Sequence, residues 1–199
     1  MPIVHDRSGR IPSRGRCFLY VFPCGWEDLL KLGISRDPLD RLQALHPRWF
    51  EFFDLDRGHV VEFDRVREAR AQELSLGHRL AEHRAVAPLT VRAAAGGHTE
   101  WFRGASAQLD EAMQAFAAAG HAVHAPLRPW LREALQARGA LLYSWTQAAL
   151  DADDLAAGDA GLPHRQAVRD ALDACDALGV ALEPLLPEAV LAWHRGARR

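Results

Sequence analysis

Lysine is nearly absent from this chain: of 24 basic residues, Lys31 is the single lysine and the rest are arginine. Beside abundant alanine, that skew reads as genome composition rather than function. Cysteine is scarce as well. Cys17, Cys24 and Cys175 are too few and too unevenly placed for a disulfide framework, which points to a reducing compartment. No apolar run approaches the ~18 residues needed to span a bilayer, and no charged head, apolar stretch and small-residue cleavage site mark a secretory leader. A soluble, cytoplasmic protein with no membrane partner is expected. A cationic surplus is missing too: the formal charge of −2 excludes a histone-like polycation and leaves room only for a local basic face. Neither a glycine-rich phosphate loop nor a nucleophile elbow is present.

What is there is ordinary globular material: 199 residues, 49% hydrophobic and 25% charged, enough for one buried domain with an appendage. Alanine divides the chain, with 9 in residues 1–104 and 26 in residues 105–199, so the second half is expected to be mainly helical. Charge divides at the same place, +2 before and −4 after. Basic residues crowd the start, where Arg7, Arg10, Arg14 and Arg16 face only Asp6. This stretch reads either as an arm for phosphate or as a solvated terminus. The expected organisation is a basic arm over 1–16, a mixed domain over 17–125 and a helical region over 126–199.

Two aromatic and β-branched runs, Cys17 to Phe22 and Leu29 to Ile34, flank a turn-rich Pro23–Asp28 segment and predict a hairpin. Asp37-Pro38 opens a helix with Leu39, Leu42 and Leu45 on one side, and Pro47 closes it. His59 to Phe63 reads as a third strand. Arg65 to about Arg84 reads as a long helix whose inner stripe of Val66, Ala69, Leu76 and Leu80 is interrupted by Glu73. Ser106 is placed to cap a helix ending at Gly120. Further helices are expected near Pro129–Arg138, Ser144–Ala157, Pro163–Leu178 and Pro187–Arg195, broken by Gly139, Gly158, Gly161 and Gly179.

Alternation along the hairpin sets Phe18, Tyr20 and Phe22 on one face of the first strand, and Leu29, Lys31 and Gly33 on one face of the second. If those faces coincide, Tyr20 and Lys31 are neighbours, and a cation beside a phenol favours its phenolate. Gly33 would leave backbone open to a ligand. Arg41 lies off the leucine stripe of its helix and can point at the same spot.

The run Phe18-Leu19-Tyr20, then Lys31-Leu32-Gly33-Ile34-Ser35, Asp37-Pro38 and Arg41-Leu42, resembles the GIY-YIG nuclease superfamily. It is most similar to the branch whose second motif reads Lys-Ile-Gly-Ile-Ser and whose domain ends in Glu-Trp-Phe. Glu73 with His78, and Thr99-Glu100-Trp101-Phe102, follow in order, so the resemblance covers residues 17–105. It implies an α+β fold, with a small three-stranded antiparallel sheet flanked by helices. Here that unit would be followed by an all-helical C-terminal region. The implied activity is hydrolysis of phosphodiester bonds in nucleic acid, DNA rather than RNA, with one magnesium or manganese ion. By position, Tyr20 matches the general base, Arg41 the arginine that steadies the scissile phosphate, and Glu100 the metal-holding glutamate. A hard cation suits a carboxylate, and a guanidinium fork suits phosphate oxygens. Lys31 stands where the superfamily usually has a second tyrosine, so it is read as binding phosphate or tuning Tyr20.

His78 is a candidate for proton transfer to the leaving oxygen, with Glu73 orienting it; the alternative is that both hydrogen-bond the sheet edge and the loop before Glu100. Arg14, Arg16, Lys31, Arg36 and Arg41 are the nucleic-acid-binding candidates. Trp101 and Phe102 read as core anchors. Cys17, Cys24 and His5 lack the spacing and fourth ligand of a zinc site. His98, His121 and His124 read as surface or capping residues. The rival reading is the same scaffold without cleavage, a module that holds nucleic acid or protein. A third reading makes the acidic, alanine-rich helical region the functional part, docking a protein partner or a second copy while the first half carries it.

Overall fold

A computed structural model describes residues 15–156 and 162–196. The basic arm from Arg7 to Arg14 lies outside the described residues, and so do Gly158 and Gly161. The expected hairpin forms from β1 (Cys17–Pro23) and β2 (Leu29–Ser35), whose register sets Tyr20 opposite Gly33 and Phe22 opposite Lys31. On the other side of β1 runs β3 (His59–Phe63). Among the described residues the sheet nevertheless has six strands, not three. β4 (Arg84–Ala85), β5 (Trp101–Arg103) and β6 (Val123–His124) complete the antiparallel order β4-β5-β2-β1-β3-β6. Each added strand is two or three residues long, too short to display a period of two.

Both faces of the sheet are covered, which is why β1 is buried at every residue. Leu19, Val21, Leu30, Leu32 and Val61 meet α3 (Val66–Arg79) and α4 (Ser106–Ala118) through Val66, Ala69, Leu76, Leu109 and Met113. The helix expected to continue to Arg84 stops at Arg79, because the chain turns through a short 3-10 segment, Ala81–His83, into β4. Ser106 does not cap α4. Ala105 holds the cap position and the Ser106 hydroxyl accepts from Arg57 instead.

The opposite face carries Phe18, Tyr20 and Phe22, packed in one cluster with α1 (Pro38–Leu45) and α2 (Trp49–Phe52). Asp37 caps α1 by accepting from the Asp40 backbone N–H at 3.1 Å, with Pro38 in the first turn. Leu39, Leu42 and Leu45 are all buried.

The second half is helical as its alanine content predicts. It comprises α5 (Leu127–Ala137), α6 (Gly139–Ala149), α7 (Ala152–Ala156), α8 (Pro163–Ala177) and α9 (Glu188–Gly196). Gly139 begins α6 rather than ending a helix, and a Cβ there would meet Leu185 Cδ2 at 2.8 Å. These helices do not form a separate core: Leu127, Leu131, Val168, Leu172 and Trp193 belong to the cluster that holds Tyr20. Trp130 sets its ring edge-on to Phe18 at 5.5 Å. Among the described residues, no helix is long and apolar enough to cross a membrane.

Candidate active site

Four segments bring the polar groups together: β1 supplies Tyr20, β2 Lys31 and Gly33, α1 Arg41, and the entry to β5 Glu100. The Tyr20 ring lies over Gly33 so closely that a Cβ on Gly33 would stand 2.4 Å from its hydroxyl oxygen. That oxygen accepts from Arg41 Nε at 3.1 Å, while Arg41 Nη1 donates to the Ala95 carbonyl at 2.6 Å. The guanidinium is thereby fixed between the sheet and the segment leading to Glu100.

Lys31 is diagonal to Tyr20 rather than opposite it, with Nζ 5.9 Å from the ring centroid. Its side chain is only 2% exposed, and Nζ donates to the Leu32 carbonyl at 2.6 Å and to Glu100 Oε2 at 3.4 Å. Burial lowers its pKa to about 8, against the upward pull of Glu100.

Glu100 has φ +55°, an uncommon conformation for a residue with a side chain. Its carbonyl accepts from the Leu32 N–H at 3.0 Å, as a strand neighbour's would, but the left-handed backbone takes the side chain out of strand alternation. The carboxylate is 42% exposed and also accepts from the Thr99 hydroxyl. Glu73, the odd member of its helical stripe, reaches the backbone of Ile34 in the interior strand β2. Its pKa is raised by burial first and by the Glu100 charge second, against the downward pull of that backbone contact. Sequence reasoning paired Glu73 with His78. The structure instead sets Glu73 in the field of Glu100 and Lys31, and its place in an apolar stripe was the signal.

Tyr20 departs from expectation in one respect. Arg41 does pull its phenol toward ionisation, but burial outweighs that pull and the pKa is raised, with Tyr20 only 1% exposed. His78 is exposed in the last turn of α3, and no hydrogen bond or ion pair joins its side chain to another described residue. Five helical residues separate it from Glu73, about 140° around the axis at 3.6 residues per turn. Arg16, the residue before β1, pairs with Glu62. Arg36 is exposed just past β2, its charge near Cys17. Arg14 lies outside the described residues. Trp101 and Phe102 are buried on opposite faces, and Trp101 Nε1 donates to the Gly97 carbonyl at 2.6 Å. His98 is exposed, His121 lies against Phe63, and His124 bonds Glu62 at 3.0 Å. No group of three or more His, Cys, Asp or Glu that could hold a metal occurs among the described residues.

The fold and site define a mixed α/β protein. A buried tyrosine, an arginine and a lysine–glutamate pair meet at the middle of its antiparallel sheet. The chain belongs to the T5orf172 domain family, whose model matches residues 18–117, just over half its length and every residue of this cluster. That domain is associated with nuclease-like and DNA-binding functions. No curated protein and no solved structure matches the chain.

Proposed function

We propose that this protein is a metal-dependent endonuclease of the GIY-YIG type that hydrolyses phosphodiester bonds in DNA. The observation that carries the reading is the meeting of Tyr20, Arg41, Lys31 and Glu100 around Gly33, from positions spread over 81 residues of sequence. Arg41 spends Nε and Nη1 on the protein, and its remaining N–H groups are held in fixed orientation for phosphate oxygens. Tyr20 accepts from Arg41, so its own proton is available to a water or a phosphate oxygen. Burial keeps that proton in place, which makes the phenol a donor that orients the attacking water. Lys31 adds positive charge below the phosphate and holds the Glu100 carboxylate.

The donor set fits a hard divalent ion. Glu100 is a half-exposed carboxylate whose negative charge adds to burial in raising the pKa of Glu73, and a bound dication would offset that charge. Glu100, with Glu73 beside it, would hold magnesium or manganese, which acidifies water and neutralises the phosphate oxygens. Supercoiled plasmid nicking in magnesium or manganese buffer tests this. Glu100→Gln and Arg41→Ala are each expected to slow nicking by about 10²-fold or more. Parent-like rates in both variants would remove the assignment.

Two observations favour a second reading, a nucleic-acid-binding module without cleavage: Lys31 already pairs with Glu100, and Tyr20 is sealed from solvent. Salt-dependent DNA binding with no product in either metal would select it.

A further inference from the structure

β4 pairs with β5 so that Arg84 faces Phe102 and Ala85 faces Trp101. The ladder ends at the Ala85–Trp101 pair, one residue along the chain from Glu100. There the chain leaves the sheet and presents Val86, 89% exposed, and Leu89, fully exposed, on either side of Ala87-Pro88. Two bare aliphatic side chains on one short segment are costly in water, and neither is covered by the other described residues. The segment is held at both ends: the Val91 N–H donates to the Pro88 carbonyl at 3.1 Å, Val91 is buried, and the Arg92 N–H donates to the Leu45 carbonyl at 3.3 Å. The same stretch continues to Ala95, whose carbonyl fixes Arg41.

Charge says what this tip faces. From His83 to Thr99 the sequence contains no carboxylate, while Arg84 and Arg92 bracket the aliphatic pair. Both arginines are exposed, and neither guanidinium makes a hydrogen bond or ion pair with a described residue. A strand-edge partner would need a longer ladder than the two residues of β4. An apolar tip between two unpaired guanidinium groups matches a nucleic-acid duplex, whose stacked bases lie between rows of phosphate.

Resting on the nuclease reading above, we propose that Arg84–Arg92 is a wedge for duplex DNA: Val86 and Leu89 enter a base step beside the phosphate held near Glu100, and Arg84 and Arg92 take flanking phosphates. Apolar wedges of this kind unstack a step and kink the duplex. The arginines contribute affinity without reading sequence.

A short duplex carrying 2-aminopurine, scanned step by step and titrated with the full chain in metal-free buffer, tests the wedge. The parent is expected to raise fluorescence at least twofold at one or two adjacent steps. Val86→Ser with Leu89→Ser should abolish that rise and leave the salt dependence of binding unchanged. Arg84→Gln and Arg92→Gln should each reduce the slope of log K against log salt by about 0.9. A parent that binds and nicks DNA with no rise at any step overturns the wedge and leaves the nuclease reading standing. So does a double serine variant that keeps the rise. A parent that neither binds nor nicks DNA overturns both.

Discussion

At the scale of single residues the site depends on one missing side chain. Gly33 is required by the Tyr20 ring above it, since an added Cβ would stand 2.6 Å from Cζ as well as 2.4 Å from the hydroxyl. Gly33→Ala should therefore push the buried ring off Arg41 and cost about 1–3 kcal/mol, read as a lower denaturant midpoint at unchanged slope. The cysteines make a second residue-scale case. Burial raises the thiols of Cys24 to about 12 and Cys175 to about 11 from an ordinary 9, and raises Cys17 also. The folded chain thus holds thiol protons that the unfolded chain releases above pH 9. This contribution to stability is complete below pH 9 and is lost as pH rises toward 12. Iodoacetamide at pH 8 should leave all three unmodified until denaturant unfolds the chain, and reaction of the native protein would contradict their burial. The motif residues Tyr20, Arg41 and Glu100 were legible because each motif is local. Glu73 was half legible: its break in an apolar stripe marked it, but its neighbour Glu100 lies on another element, and nothing in the spacing joins the two.

At the scale of elements, strands long enough to alternate were readable and the others were not. β1, β2 and β3 run five to seven residues, whereas β4, β5 and β6 exist because longer neighbours offer them an edge. Asp37-Pro38 announced α1 through local capping chemistry, and the cap forms. No sequence pattern announced its second support. Arg138, between α5 and α6, donates Nη1 to Asp40 Oδ1 at 2.6 Å and Nη2 to Asp37 Oδ2, clamping the first turn of the helix that carries Arg41. These groups are partly exposed, so the clamp is worth about 0.2–1 kcal/mol while the cap itself is worth about 1. Asp37→Ala should destabilise more than Arg138→Ala. A double-mutant cycle should give a coupling of a few tenths of a kcal/mol that shrinks with salt. Zero coupling at low salt would show that the clamp does not support α1.

At the scale of the whole molecule, the division into a mixed half and a helical half describes the chain but not its core. Composition marks where alanine and acidic residues accumulate; it carries no information about which faces meet. The α5–α9 region supplies Leu127, Leu131, Val168, Leu172 and Trp193 to the cluster that also contains Phe18, Tyr20 and Phe22. Arg48 beside α2 adds ion pairs to Asp170 and Asp173 of α8, at 3.1 and 2.8 Å. Ending the chain at Ala125 would strip α5–α9 from the Phe18–Tyr20–Phe22 face and leave only α1 and α2 to cover it, and a face that loses this much apolar contact has no compensating source of stability. The truncated chain is expected to lose cooperative unfolding and bind hydrophobic dyes, and with the fold it should lose any nicking activity. The intact chain should unfold in one transition. Far-UV circular dichroism should coincide with tryptophan fluorescence, because Trp26, Trp49 and Trp101 report on the sheet half and Trp130, Trp145 and Trp193 on the helical half. Two separated transitions, or a truncated chain that still melts sharply and nicks DNA, would make the helices an appendage rather than half of the core on which Tyr20 rests.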